Sequence, residues 1–485
     1  MSQGGVMVAD SNPVPATAGR EALRAAFEGQ RAAFRAHPFP ALGERLGHLD
    51  RLSQALRTHT DAIVDSVSAD FGHRSAFESR SAELLVAVRT IGYVRKRLRR
   101  WMRRSSRRPG ILFATTQAWV EYQPKGVVGV LSPWNYPLQL AVVPLVYALA
   151  AGNRVMLKPS ELTPKTSALL GELVREAFPP ELVTVVQGGP ELARAFSDLP
   201  FDHLLFTGST RVGRQVMRAA ADNLTPVTLE LGGKSPVIIS QTANLAESAS
   251  RICFGKSLNA GQTCVAPDYV LCPPAMIEPL LEAMRESFAR MYGRVTDNQD
   301  YTSIAHGRHY DRLHGMLEEA RAAGARVVSL SDETPDAEDR RMSLTAVVDP
   351  PLDSALMREE IFGPILPVIP CESFDGALAF IGSRPHPLAL HYFGRDRAER
   401  QRVLHESHAG SVCVNDAVFQ AAVDDLPFGG VGESGIGHYH GEEGFRTFSH
   451  AKSVFVRPSF LNLARVFHPP YGTRLQQLIM RLFHR

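Results

Sequence analysis

From Arg20 to about Arg104, apolar residues recur at every third or fourth position, as at Leu84, Leu85, Val88, Ile91 and Val94, among Ala, Arg and Glu. That period is helical, so the chain opens on an all-helical segment. After Pro109-Gly110 the pattern changes. Residues 111–123 are rich in aromatic and β-branched side chains with partial alternation and stop at Pro124, which predicts a strand or hairpin. Short apolar runs then alternate with longer stretches of helical character. Residues 127–131, 154–157, 183–186, 203–206 and 227–229 read as strands, with helices at 137–151, 164–177 and 210–221 between them. Strands separated by helices predict a parallel, doubly wound sheet. A second series begins near Val237, with helices at 244–257 and 276–292, and apolar segments at 326–329, 345–348, 365–369 and 411–414 predict another sheet. No internal repeat or long linker is evident.

Length divides this pattern into two or three domains, since 485 residues exceed a single core. The net charge of +3, from 53 basic and 50 acidic residues, gives no global field that would commit the chain to nucleic acid. One local asymmetry stands out: residues 95–108 (RKRLRRWMRRSSRR) carry no acid, and none occurs between Glu83 and Glu121. An anion-binding patch is one reading, and a solvated helix end, which we favour, is the other. Five cysteines without CxxC spacing exclude a disulfide framework and a zinc site, so no metal is expected and a reducing, cytoplasmic setting is. Residues 1–19 lack the apolar core of a signal peptide and read as a flexible leader. The longest apolar run, Leu138 to Ala151, is too short to span a bilayer and contains Pro144, so it reads as a buried helix.

Chemistry concentrates at a few places. Cys264 ends Asn259-Ala260-Gly261-Gln262-Thr263-Cys264, where small residues let a thiol and its own backbone N–H face one cleft. The other four cysteines read as apolar packers. Glu230 ends a short apolar strand just before Gly232-Gly233, a place for a general base or for a plain surface carboxylate. In Phe206-Thr207-Gly208-Ser209-Thr210-Arg211-Val212-Gly213 a glycine turn leads into a helix, whose free N–H groups suit a phosphate. The Asn135 amide in Pro133-Trp134-Asn135-Tyr136-Pro137 either enters the crevice as an oxyanion donor or caps the next helix. Lys158 and Glu161 either bind ribose hydroxyls or form a salt-bridged loop. Glu360 and Phe362, beside Gly363-Pro364, suit a ribose and a flat ring.

Taken in this order, from about residue 50 to 460, these motifs resemble the NAD(P)-dependent aldehyde dehydrogenase superfamily. AGQTCVAPDY and PFGGVGESGIGHYHGEEGF look like its class 3 branch, and HYHG with Pro469-Pro470-Tyr471-Gly472 is similar to bacterial coniferyl aldehyde dehydrogenases. The resemblance implies an α/β fold with a Rossmann-type cofactor domain (20–105 and 124–231), a second α/β catalytic domain (232–430) and a small β oligomerisation arm (106–123 and 445–460) that makes a homodimer. It implies Cys264 as nucleophile, Glu230 as the base that activates water, and Asn135 as oxyanion donor. Glu360 and Phe362 would hold the nicotinamide ribose and ring, and Lys158 and Glu161 the adenosine ribose. Ser209, Gly208 and Gly213 would face the pyrophosphate, with Trp134 beside the cleft. NAD is the expected cofactor because Glu161 disfavours a 2′-phosphate, with NADP as the alternative.

The expected reaction is oxidation of an aromatic or hydrophobic aldehyde, coniferaldehyde first, to the acid through a thiohemiacetal and a thioester. Medium or long-chain fatty aldehydes are the alternative, and a catalytically silent binding protein on the same scaffold comes last. Transfer of the acyl group to coenzyme A is disfavoured by Glu230. Residues 461–485 form a basic amphipathic tail, with Leu475, Leu478, Ile479, Leu482 and Phe483 on one helical face. It reads as a helix docked on the protein's own surface or, alternatively, as a weak membrane-surface contact.

Overall fold

A computed structural model describes residues 16–110, 113, 115–458 and 463–483. The leader expectation therefore falls largely outside the described residues. Its last four positions are corrected: residues 16–19 form the first turn of helix Ala16–Ala36. Helices Leu42–Thr58, Thr60–Phe71 and Val86–Trp101 complete the opening segment, the last entered through a π-helical stretch, Ser79–Leu85. The basic run resolves into the solvated reading. Arg95 pairs with Asp50 at 2.7 Å, Arg100 with Glu442 at 3.2 Å, and Arg97 lies over the Tyr93 ring at 3.9 Å, all at the surface.

The first sheet has six strands in the order Gly435–Ile436, Val227–Leu231, His203–Gly208, Val127–Leu131, Arg154–Lys158 and Val183–Val185. All neighbours are parallel except the first pair. Val127–Leu131 and Arg154–Lys158 are buried at every position, as a parallel sheet covered on both faces requires. Helix Gln139–Ala151 covers it with no polar face at all: residues 140–151 are buried, Pro144 included. Strand Val227–Leu231 runs two residues beyond the expected 227–229, so Glu230 lies within the strand, opposite Thr207 on one side and Gly435 on the other.

The second sheet has seven strands: Arg326–Ser329, Thr345–Val348, Ile365–Pro370, Tyr269–Cys272, Pro236–Ile239, Ala389–Phe393 and Ser411–Val414. Only the first pair is antiparallel. Tyr269–Cys272 and Ala389–Phe393 flank Pro236–Ile239 at its centre, and sequence periodicity missed both. Four or five buried apolar residues in a row carry no alternation to read. Helices Gly307–Ala322, Phe374–Gly382 and Arg397–Glu406 were missed too.

A third, antiparallel sheet joins Ser105–Arg107, Gln117–Pro124 and Ser449–Val456. Part of the expected 111–123 strand lies outside the described residues. The tail does form a helix, Arg474–Phe483, but the expectation of docking on the body is corrected. It folds back on its own preceding turn, where Gln476 Nε2 donates to the carbonyls of Val466 (2.7 Å) and His468 (3.1 Å). Leu475, Leu478 and Leu482 stay more than half exposed. Among the described residues, no helix is long and apolar enough to cross a membrane.

Candidate active site

Strand register assembles the site. Leu131 lies opposite both Lys158 and Phe206, and Gly208 lies opposite Leu231. Trp134, Asn135, Glu161, Ser209 and Glu230 therefore gather at the carboxyl edge of one parallel sheet, where open α/β folds bind ligands. Four residues, 232–235, carry the chain from that edge to the amino edge of the seven-stranded sheet at Pro236. There the Asp268 N–H donates to the Ser235 carbonyl at 2.8 Å, which ties down the segment that follows Cys264.

The nucleophile loop is not flexible. Asn259, Ala260 and Gly261 occupy left-handed backbone conformations in succession (φ 52°, 51° and 73°), which costs of order 1–3 kcal/mol for each of the two non-glycine residues. Buried partners hold the turn. Glu78 accepts the Asn259 N–H at 3.1 Å, the Gln262 side chain donates to the carbonyls of Asn259 (2.9 Å) and Ser303 (3.2 Å), and its Oε1 accepts the Ala305 N–H. At Gly261 a Cβ would stand 2.5 Å from the Gly363 carbonyl oxygen, so only glycine fits.

The Cys264 thiol is half-buried. Burial first, then the Glu360 and Glu230 carboxylates, push it up to about 12 against the opposing pull of the backbone N–H groups of Cys264 and Val265. Glu230 is buried with no hydrogen-bond partner on either oxygen among the described residues, and burial alone holds it well above the usual carboxylate range. Asn135 caps no helix, since helix Gln139–Ala151 begins four residues later; its Nδ2 donates instead to the Gln262 carbonyl at 3.1 Å, two residues before the thiol. Its own carbonyl accepts from Arg74 Nη1 and from Asn259 Nδ2, both at 3.0 Å.

Glu360 lies against Gly232, where a Cβ would sit 1.9 Å from its Oε2. Burial pushes Glu360 up to about 8, and Asp268 adds to the rise, opposed by the Gly233 N–H, Lys234 and Lys256. Phe362, in a left-handed conformation at φ 55°, packs edge-on to Trp134 with ring centroids 5.4 Å apart. Lys158 Nζ donates to Glu161 Oε2 (3.1 Å) and to the Pro159 carbonyl (3.0 Å), so the salt-bridged loop exists. Glu161 itself remains exposed. Ser209 precedes helix Thr210–Ala221 and caps nothing with its side chain, which leaves that helix N-terminus open to an anion. At Gly213 a Cβ would lie 2.6 Å from the tip of the Leu231 side chain, so the helix approaches the strand closely there. This donor set fits a dinucleotide: an open helix N-terminus for phosphate, carboxylates for ribose, and an aromatic pair beside the thiol loop. Among the described residues no cluster suits a metal ion.

Sequence reasoning missed the supporting residues. Arg74, Glu78 and Glu83 come from the helical opening segment, Lys256 from helix Leu245–Ser257, and Asp268 from the position just before strand Tyr269–Cys272. Arg74 and Glu83 lie nine residues apart, but most of their other partners are much farther along the chain, so no spacing announces them.

The aldehyde dehydrogenase family model matches residues 13–454. A probable coniferyl aldehyde dehydrogenase of Pseudomonas aeruginosa is 52% identical over 463 residues, covering 96% of each chain. The coniferyl aldehyde dehydrogenase of a Pseudomonas species is 44% identical, covering 96% of this chain and 97% of its own. Among solved structures, substrate-bound Staphylococcus aureus AldH superposes with a TM-score of 0.91 at 37% identity, covering 96% of this chain and 99% of its own. Matched along nearly its whole length in sequence and in fold, the chain belongs to the aldehyde dehydrogenase family.

Proposed function

We propose that this enzyme oxidises an aromatic aldehyde, coniferaldehyde first, to its carboxylic acid, with Cys264 as nucleophile. The observation that carries the reading is the thiol's setting: a strained, clamped loop presents Cys264 with its own N–H, the Asn135 amide is bound to that loop at the Gln262 carbonyl, and the Glu360 and Glu230 carboxylates act on the thiol. The sulfur attacks the aldehyde carbon, and the resulting oxyanion is held by the Cys264 N–H and Asn135 Nδ2. NAD(P)+, when bound, accepts the hydride that leaves this carbon. Glu360 and Phe362 orient the nicotinamide ribose and ring, with Trp134 closing the cleft. Gly208, Ser209 and Gly213 serve the pyrophosphate, and Lys158 holds Glu161 toward the adenosine ribose. An exposed carboxylate at Glu161 repels a 2′-phosphate, so NAD is preferred over NADP. Glu230 then takes a proton from water as it attacks the thioester. A carboxyl with so high an affinity for protons is a strong base once ionised.

In this reading residues 20–105 and 124–231 serve the cofactor, and residues 232–430 carry the thiol. The arm sheet exposes Phe455 and Val456 on its edge strand, a surface suited to the partner of a homodimer. The tail favours a second substrate class, fatty aldehydes met at an anionic lipid surface, because its exposed leucines lie on a helix with Arg474 and Arg481 and no acid.

The test is the initial rate of NADH formation with coniferaldehyde and with a saturated long-chain aldehyde, with Cys264→Ala as control. Preference for coniferaldehyde, lost in the control, supports the first reading. The reverse ranking selects the second, and full activity in the control refutes both.

A further inference from the structure

The HYHG segment belongs to the site, although the reading above gives it no task. Strand Gly435–Ile436 pairs with Glu230 and Leu229, and a Cβ on Gly437 would meet the Thr228 side chain at 3.3 Å, so the chain runs along the strand that carries the base. Two residues later Tyr439 is fixed by a two-bond bridge to Phe428 (2.7 and 2.8 Å) and by edge-on packing against the His440 ring. Its side chain is completely buried in the same apolar cluster as Val265, and Cys264 packs against that cluster.

Among the described residues the phenol oxygen has no hydrogen-bond partner, and neither does either oxygen of Glu230. Three orphaned buried polar atoms are costly, at about 1–3 kcal/mol each for neutral groups. A phenylalanine would fill the same volume without that cost, so the hydroxyl adds nothing to packing. After burial, the charges of Glu230 and Cys264 are the strongest influences that hold the phenol above its usual value, so both groups lie within electrostatic reach of it.

We propose that the Tyr439 hydroxyl positions the water that hydrolyses the thioester, an inference that rests on the roles given above to Cys264 and Glu230. The water donates one O–H to Glu230 and the other to the Tyr439 oxygen, which leaves a lone pair for the thioester carbon. A C–O bond forms, the C–S bond breaks, and the proton taken by Glu230 passes to the departing Cys264 sulfur. Tyr439 takes no part in hydride transfer. Its loss slows deacylation alone.

The experiment is Tyr439→Phe with benzaldehyde and NAD, followed by stopped-flow NADH formation and by intact-protein mass during turnover. The expected result is a rapid NADH burst of wild-type rate, a steady state slower by about tenfold or more, an acyl adduct on the protein, and a melting temperature at or above that of wild type. Steady-state turnover within twofold of wild type overturns the inference. So does loss of the burst together with turnover, which would put the hydroxyl in an earlier step, or a much lower melting temperature, which would make it a structural partner. Glu230→Gln separates the two readings. If that variant hydrolyses its thioester at the wild-type rate, the base assignment fails whatever Tyr439→Phe does; if it traps the adduct, Tyr439→Phe judges the hydroxyl alone.

Discussion

Arg74→Met tests whether the oxyanion amide is set from the helical opening segment. Arg74 and Glu83 are both completely buried, and Arg74 Nη1 donates to Glu83 Oε1 at 2.8 Å and to the Asn135 carbonyl at 3.0 Å. Among the described residues the other guanidinium nitrogens find no acceptor, and the group lies over the rings of Phe71 (4.9 Å) and Tyr136 (4.7 Å). Glu83 Oε2 accepts the N–H groups of Leu138 (2.8 Å) and Gln139 (2.9 Å), at the start of the helix after Asn135. Removing the arginine strands a buried carboxylate that burial already pushes upward, at a cost of about 3–5 kcal/mol. Adding Glu83→Gln removes that charge and keeps an acceptor for the two N–H groups, so the double variant regains more than half of the lost stability in urea unfolding. Activity does not follow. The Asn135 carbonyl keeps only Asn259 Nδ2 as donor, and a slackened amide lowers kcat/KM by about ten- to a hundredfold in both variants. Equal stability losses in single and double variants would refute the stranded-charge argument. Recovery of both stability and activity in the double would refute the positioning argument.

Two further outcomes follow from the same geometry. Gly232→Ala places a Cβ where Glu360 Oε2 now lies; the flexible carboxylate moves aside at little cost to folding, so unfolding stays near wild type while KM for NAD rises about tenfold in steady-state assays. Glu360 ionises near 8, so it is charged throughout the range in which Cys264 titrates, toward about 12, and its charge raises the thiol. Glu360→Gln removes that charge, and the midpoint of the iodoacetamide alkylation rate against pH falls, whereas an unchanged midpoint would contradict the electrostatic reading.

The sequence by itself determined the order of the five parallel strands of the first sheet and most of the helices between them, because each short apolar run there is bounded by a helical stretch or a turn; helix Pro190–Ser197 and edge strand Gly435–Ile436 escaped it. It also marked Cys264, Glu230, Asn135, Glu360 and Phe362, whose side chains stand out against small or apolar neighbours. Only the tertiary structure decided what surrounds them. Tyr269–Cys272 and Ala389–Phe393 carry no polar alternation, since both faces of a central parallel strand are buried. Asn259 and Ala260 read as permissive residues, yet Glu78, from the opening helices, clamps that turn in a strained form. The salt bridges of the basic run, the arginine behind Asn135 and the bridge that buries Tyr439 against Phe428 depend on contacts between separate segments of the chain. Local periodicity records which face of an element is buried; it holds no information on which distant side chain will meet it there.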